Sequence, residues 1–318
     1  MLVERRAVID IGTNSVKLLV GDVSGRVVEP VLETSHQTRL GHGFYESHLL
    51  QREAIEHTQA AVADFAEKAK QLEAAAIRII ATSAVRDATN RADLVEAVRE
   101  VSGIPPRIIT GNQEADYAYK GVLTDPKFAS QDLLLLDMGG GSTEFVLGCG
   151  GKKMFSHSFA LGTLRLMDAL EIGDPPAEGQ RQACLDVIDR FLRAEVRPLL
   201  EPMLGKAGPG VQLVGTGGTA GILARIDLGL EAYDREAMES VAITRKRMHG
   251  HIEHLWSLPL LDRQKVPGLP PRRADVILTG VAAYVQIMEE FGFEHLRCST
   301  RGLRFALLLE GDWKPVGS

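Results

Sequence analysis

The chain has 318 residues, 45% of them hydrophobic and 25% charged, with a formal net charge of −6. That length suits two ordinary domains or one large one, and the acidic balance excludes a surface coated in basic residues for indiscriminate nucleic-acid binding. No apolar run approaches the roughly 20 residues that span a bilayer, MLVERRAVID lacks a signal-peptide pattern, and the scattered Cys149, Cys184 and Cys298 predict reduced thiols in a cytoplasmic protein rather than disulfides or a zinc site.

The first predicted element is a strand ending in Val8-Ile9-Asp10-Ile11, which turns through Gly12-Thr13-Asn14-Ser15 and leaves as VKLLV. That is a hairpin pattern. QREAIEHTQAAVADFAEKAKQL, from Gln51, has helical spacing, and AAIRIIATSAVRDATN reads as a strand running into a loop. RADLVEAVREVSG reads as a helix closed by Gly103, PPRIIT as a strand and EADYAYKGVL as another helix. Past the Pro126 loop the opening pattern returns as Leu135-Leu136-Asp137-Met138-Gly139-Gly140-Gly141-Ser142, followed by TEFVL. A helix over about 175–200 precedes VQLVGTGGTAGILARI, which reads as strand, glycine turn and helix. The helices TRKRMHGHIEHLWSL, ADVILTGVAAYVQIMEEFG and LRFALLLE follow.

The two hairpins align without a gap, Asp10 with Asp137 at an offset of 127 residues. The same offset pairs Gly12 with Gly139, Ser15 with Ser142 and Lys17 with Glu144. Glycines permit positive φ and let backbone N–H groups approach a bound anion closely. One such turn is commonplace, but two in register, each opening half of the chain, indicate a duplication. The predicted class is α/β, with two duplicated domains and a cleft between them. The expected first domain is 1–125, rejoined by a C-terminal helix over about 302–318, and the second is 126–301.

Segments spread over nearly the whole chain resemble the exopolyphosphatase and guanosine pentaphosphate phosphohydrolase family, of the actin, Hsp70 and sugar-kinase superfamily. They are VIDIGTNSVKLLV, RLGHGF, ATSAVRDATNR, TGNQEADYAYKGV, LLLLDMGGGSTEFVLG, ALGTLRL, LVGTGGTAGILA, VPGLPPRRADVILTG and STRGLRFALLLE. The resemblance implies actin-like (ribonuclease H-like) domains and the short, two-domain type, without a further HD-type domain. It also implies that Gly12, Thr13, Asn14, Ser15, Gly139, Gly140, Gly141 and Ser142 bind phosphate. Carboxylates cannot approach a phosphate chain unless a cation intervenes, so Mg2+ (or Mn2+) is expected, with Asp10, Asp137 and Glu144 as candidate ligands. Lone carboxylates at strand ends otherwise cap turns. Lys17 could neutralise phosphate and Glu144 hold metal or orient water, or both could be ordinary charged rim.

The family's catalytic base is the second glutamate of a Glu-Glu-Ala-Arg segment, which here reads Gln113-Glu114-Ala115-Asp116. Glu114 therefore matches the base, while Gln113 and Asp116 depart from the pattern, and the lost carboxylate should make the site less acidic. Arg86 offers a planar fork for phosphate oxygens near the end of a strand. Gly215-Thr216-Gly217-Gly218 precedes a helix and could hold a nucleoside or a distal stretch of polyphosphate. His249, His251 and His254 lie in a helix rich in Arg, Lys and Glu and read as a solvated face. Arg272, Arg273, Arg297, Arg301 and Arg304 could line a basic channel. The expected function is an Mg2+-dependent exopolyphosphatase acting on inorganic polyphosphate. The alternatives are a guanosine pentaphosphate 5′-phosphohydrolase acting on guanosine penta- or tetraphosphate and a weakly catalytic alarmone-binding regulator, with a sugar kinase more distant. A homodimer without nucleic-acid or membrane partners completes the expectation.

Overall fold

The computed structural model describes residues 3–313. Contacts divide the chain into two units, one running to Asp125 and resuming at Arg301, the other Pro126–Thr300.

The first unit is built on β1 (Glu4–Ile11), β2 (Ser15–Ser24), β3 (Val27–Gln37), β4 (Ala76–Ala81) and β5 (Arg107–Ile108). The strand order is β3-β2-β1-β4-β5, with β1, β2 and β3 antiparallel and β4 and β5 joining in parallel. Because successive side chains point to opposite faces, β1 feeds two cores. Ala7, Ile9 and Ile11 pack with Phe65 and Val62 on one face, while Val8 packs with Leu19 and Phe305 on the other. Both faces are covered, which is why β1 reads as a continuous apolar run. The helix Arg52–Gln71 covers the first core with Ala54, Ile55, Thr58, Ala61, Val62, Phe65, Ala66 and Ala69, a stripe of helical period. Each fully buried aliphatic or aromatic side chain of this kind is worth roughly 1.5–3 kcal/mol. The helix Leu303–Leu309 covers the second core, and Glu310 beside it accepts from Arg78 Nη1 at 2.6 Å and Tyr117 Oη at 2.5 Å. Residues 314–318 of the expected C-terminal helix lie outside the described residues.

The second unit carries β6 (Leu133–Met138), β7 (Thr143–Cys149), β8 (Lys152–Phe159), β9 (Gln212–Thr216), β10 (Ala242–Thr244) and β11 (His295–Cys298). Its order is β10-β11-β9-β6-β7-β8. The run β8-β7-β6-β9-β11 repeats the first unit's β3-β2-β1-β4-β5 in order and direction, and β10 adds an antiparallel edge. Its core is walled by the helix Ile277–Glu290, buried nearly all round, with Tyr284 fully enclosed. Burial pushes the Cys184 and Cys298 thiols up to about 12.

Four local expectations need correction. The strand over PPRIIT shrinks to Arg107–Ile108, because Pro105 and Pro106 carry no N–H for a ladder. The segment after β4 coils into a short helix, Ser83–Asp87, rather than a loop. The helix over 175–200 starts at Gln180 and continues through a π turn, Leu192–Val196, to Ala207. The histidine face is not simply solvated, since His249 pairs with Glu289 at 3.0 Å and His251 with the buried Asp227 at 2.8 Å. No helix among the described residues is long and apolar enough to cross a membrane.

Candidate active site

The duplicated hairpins close identically. Gly12 N–H donates to Ser15 O at 3.0 Å, and Gly139 N–H to Ser142 O at 2.9 Å. In both, the aspartate sits directly opposite the charged residue of the outgoing strand, Asp10 across from Lys17 and Asp137 across from Glu144. Directly opposed residues in an antiparallel pair share a face and approach closely.

The chemistry then diverges. In the first hairpin Lys17 Nζ lies 3.8 Å from Asp10 Oδ2, while Asp10 Oδ1 is buried without a hydrogen-bond partner. In the second, two buried carboxylates face each other, and Glu144 Oε1 accepts from Ser142 Oγ at 2.9 Å and Ser158 Oγ at 2.6 Å. Like charges opposed across a ladder destabilise it, so a cation bound between them would relieve the pair. Among the described residues no group of three or more His, Cys, Asp or Glu side chains could hold a metal ion. Mg2+ suits such a sparse site, since it keeps several waters and takes one or two carboxylates plus phosphate oxygens. The Asp137–Glu144 pair thus fits the ion.

Each turn is also strapped by the segment after the hairpin's third strand. Thr38 and Arg39 N–H donate to Asn14 O at 3.2 and 3.1 Å, and Gly41 N–H to Thr13 O at 2.8 Å. In the second unit Thr163 N–H donates to Gly139 O, and Leu164 and Arg165 N–H to Gly140 O, at 2.9–3.1 Å, while Arg165 Nε reaches Gly141 O at 3.0 Å. With their carbonyls tied down, the turns can turn N–H groups towards an anion. A Leu-Gly pair serves both straps. Leu40 and Leu161 are buried, and a Cβ on Gly41 would overlap the Thr13 methyl, on Gly162 the Gly140 carbonyl.

The matched base lies in the first unit. Thr13 Oγ1 accepts from Ala84 N–H at 3.3 Å, which anchors the short helix bearing Arg86 to the first turn. Arg86 Nη1 donates to Glu114 Oε2 and to Ile109 O, both at 3.1 Å, so Glu114 is buried with one carboxylate oxygen fixed. Gln113 explains its own departure. It is the third residue of the helix Gly111–Val122, donates its backbone N–H to Thr110 Oγ1 at 3.2 Å and accepts the Thr110 N–H on its side chain at 2.9 Å. This is a capping box, a task glutamine and glutamate perform alike. The exposed Gln113 therefore trims and aims the helix that carries Glu114.

The glycine turn Gly215–Gly218 is the end of β9 and the start of the helix Gly217–Leu228. Gly217 has φ 81° and a Cβ there would overlap Asp137 Oδ1, so glycine is required on both counts. A Cβ on Gly215 would lie 2.7 Å from the Tyr284 hydroxyl, whose pKa is raised well above its ordinary value by burial, with Asp137 adding to it. Arg273 Nη2 lies 3.7 Å from the Cβ position of Gly218, so its guanidinium stands at this turn. Arg301 and Arg304 are instead fastened to backbone carbonyls of Thr124 and Leu18, and Arg297 to Gln212. Sequence reasoning left these arginines unsorted, because only packing distinguishes them.

The Ppx/GppA phosphatase family model matches residues 8–311. Exopolyphosphatase 2 of Mycobacterium tuberculosis is 31% identical over 302 residues, covering 91% of this chain and 92% of that protein. The Aquifex aeolicus PPX-GPPA enzyme is 28% identical with a TM-score of 0.77, covering 97% of this chain and 99% of its own. An exopolyphosphatase from Cytophaga hutchinsonii, 24% identical with a TM-score of 0.86 and 96% of both chains covered, shares the fold. With a family match across nearly its whole length and a relative above 30% identity, the chain belongs to the Ppx/GppA phosphatase family and is a phosphoanhydride hydrolase.

Proposed function

We propose that the chain is an exopolyphosphatase that removes the terminal phosphate of inorganic polyphosphate, with Glu114 as general base. The observation that carries this reading is the buried Glu114 carboxylate, held by Arg86 on a helix anchored to the first phosphate turn. Glu114 takes a proton from water as the water oxygen bonds to the terminal phosphorus. The bridging P–O bond breaks, and orthophosphate and a chain one phosphate shorter result. The turn N–H groups and the Ser15 hydroxyl bind phosphate oxygens, the Ser142 hydroxyl holds Glu144 in place, and Lys17 offsets phosphate charge. Asp137 and Glu144 would hold Mg2+. Bound there, the ion neutralises phosphate charge and polarises the phosphoryl group under attack.

The closeness to an exopolyphosphatase over nine-tenths of both chains supports polyphosphate as the substrate. Guanosine pentaphosphate would use the same residues, so a competition separates the two. Purified protein receives polyphosphate and guanosine pentaphosphate with Mg2+, and kcat/KM is compared. Polyphosphate should be preferred; a preference of more than about tenfold for the nucleotide overturns the assignment. The regulatory reading rested on Gln113 and Asp116, and the capping role of Gln113 removes half of that support.

A further inference from the structure

The strap of the first unit is longer than its duplicate requires. Ser35 and Ser158 occupy equivalent positions, opposite Lys17 and Glu144 on the third strand of each sheet. From Ser35 the strap reaches Gly41 through His36-Gln37-Thr38-Arg39-Leu40, whereas from Ser158 it reaches Gly162 through Phe159-Ala160-Leu161. The second unit ties its turn without Thr38 or Arg39, so strapping alone does not call for them.

What the additional residues bring is a set of donors. Gln37 Nε2 donates to Asn14 Oδ1 at 3.2 Å, which fixes the Asn14 amide and leaves Nδ2 as a buried donor without a partner. Thr38 Oγ1 is likewise buried and without a partner. Asn14 is 6% exposed and Thr38 4%, and they adjoin, Thr38 N–H donating to Asn14 O. Buried polar groups are almost always satisfied, so two neighbouring orphans imply an oxygen-bearing occupant. Arg39 completes the set. It holds φ 51°, a conformation disfavoured for arginine, and its side chain is exposed beside the turn. His42, also exposed, is the next polar side chain of the loop. The set offers an amide N–H, a hydroxyl and a guanidinium, and no carboxylate.

We propose that Asn14 Nδ2, Thr38 Oγ1 and Arg39 form a second phosphate subsite on the first unit, which takes an inner phosphate of an oligophosphate chain beyond the one held by the turn Gly12–Ser15. The proposal rests on the phosphoanhydride reading of that turn and adds chain-length recognition to it. Amide and hydroxyl bind the phosphate oxygens, and Arg39 supplies the positive charge. The second unit, with Phe159 and Ala160 in its shorter strap, has no counterpart of Thr38 or Arg39.

The test compares wild type with Thr38→Val, which keeps the shape and removes the hydroxyl, and Arg39→Asn, which tolerates the positive φ and removes the charge. Binding is measured calorimetrically with pyrophosphate, tripolyphosphate and long-chain polyphosphate, and KM and kcat are measured for the two longer chains. Each variant should weaken tripolyphosphate and long-chain binding by about tenfold, the size of one hydrogen bond to a charged group, with pyrophosphate affected least. The loss should appear in KM more than in kcat, and Thr38→Val should melt no lower than wild type. Equal binding in wild type and both variants overturns the subsite while leaving the parent reading intact. So does a lowered melting temperature in both variants with the ligand-induced stabilisation unchanged. A wild type that binds none of the probes overturns the parent reading and the subsite together.

Discussion

The two hairpins share a register to the residue, yet one presents Asp10 opposite Lys17 and the other Asp137 opposite Glu144. The first hairpin is partly self-neutralised, with the ammonium 3.8 Å from the aspartate, and its unit also carries the Arg86–Glu114 pair. The second sets two buried carboxylates face to face, with Glu144 held by Ser142 and Ser158. Duplication thus kept the backbone geometry of the turn while the side chains diverged, so that Lys17 and the Arg86–Glu114 pair collect in one unit and the facing carboxylates in the other. The same fold does two different electrostatic jobs.

That division can be broken from either side. Among substitutions that keep Glu114, Arg86→Gln should produce the largest effect, because it frees Glu114 and removes a guanidinium together. A fall in kcat of about 100-fold or more is expected, in line with a misplaced general base. Glu144→Gln should come next and act differently, raising the Mg2+ concentration for half-maximal activity by about tenfold or more. A calorimetric Mg2+ titration checks the same shift without turnover. Lys17→Met should raise KM by about tenfold, with the Mg2+ requirement unmoved, as loss of one phosphate-facing charge predicts. If Lys17→Met and Glu144→Gln behave alike, the divergence of the two hairpins has no functional meaning.

Smaller effects probe the straps. Gly41→Ala should destabilise the chain by about 1–3 kcal/mol through overlap with the Thr13 methyl, and Thr13→Ser should recover much of that loss. Gly162→Ala meets the backbone of Gly140 and Gly141 instead, so no side-chain change should rescue it. Thermal melts of the single and double variants decide the matter. The cysteines give the mildest test, since all three lie in the second unit. With the Cys184 and Cys298 thiols raised to about 12, almost no thiolate forms there near pH 8. A thiol reagent at that pH should modify the partly exposed Cys149 first and the other two only on unfolding.

Much of this was readable in the residues. Asp, Gly and Ser at fixed spacing announced both hairpins, and the repeat announced the duplicated fold. The glycine turn and the long amphipathic helices followed from period and punctuation. β3 and β8 did not, because VVEPVLETSHQ and KKMFSHSF are half-exposed edge strands whose ladder comes from a neighbour. At the site, Glu114 was found by resemblance, but its hold on Arg86 is a tertiary fact. Gln113 looked like a loss of acidity until the capping box gave it a local task. The strap RLGHGF was recognised as a segment without a role, since a backbone bond from Thr38 to Asn14 leaves no mark in composition.

If Glu114 performs the proton transfer and binding rests on the duplicated turns, one substitution separates the two. Glu114→Gln should be measured for phosphate release from polyphosphate at saturating Mg2+, alongside calorimetric binding of the same polymer. A loss in kcat of about 100- to 10,000-fold is expected, with binding held within about threefold. Phosphate release at the wild-type rate, or a loss of binding that accounts for the whole loss of activity, would contradict it.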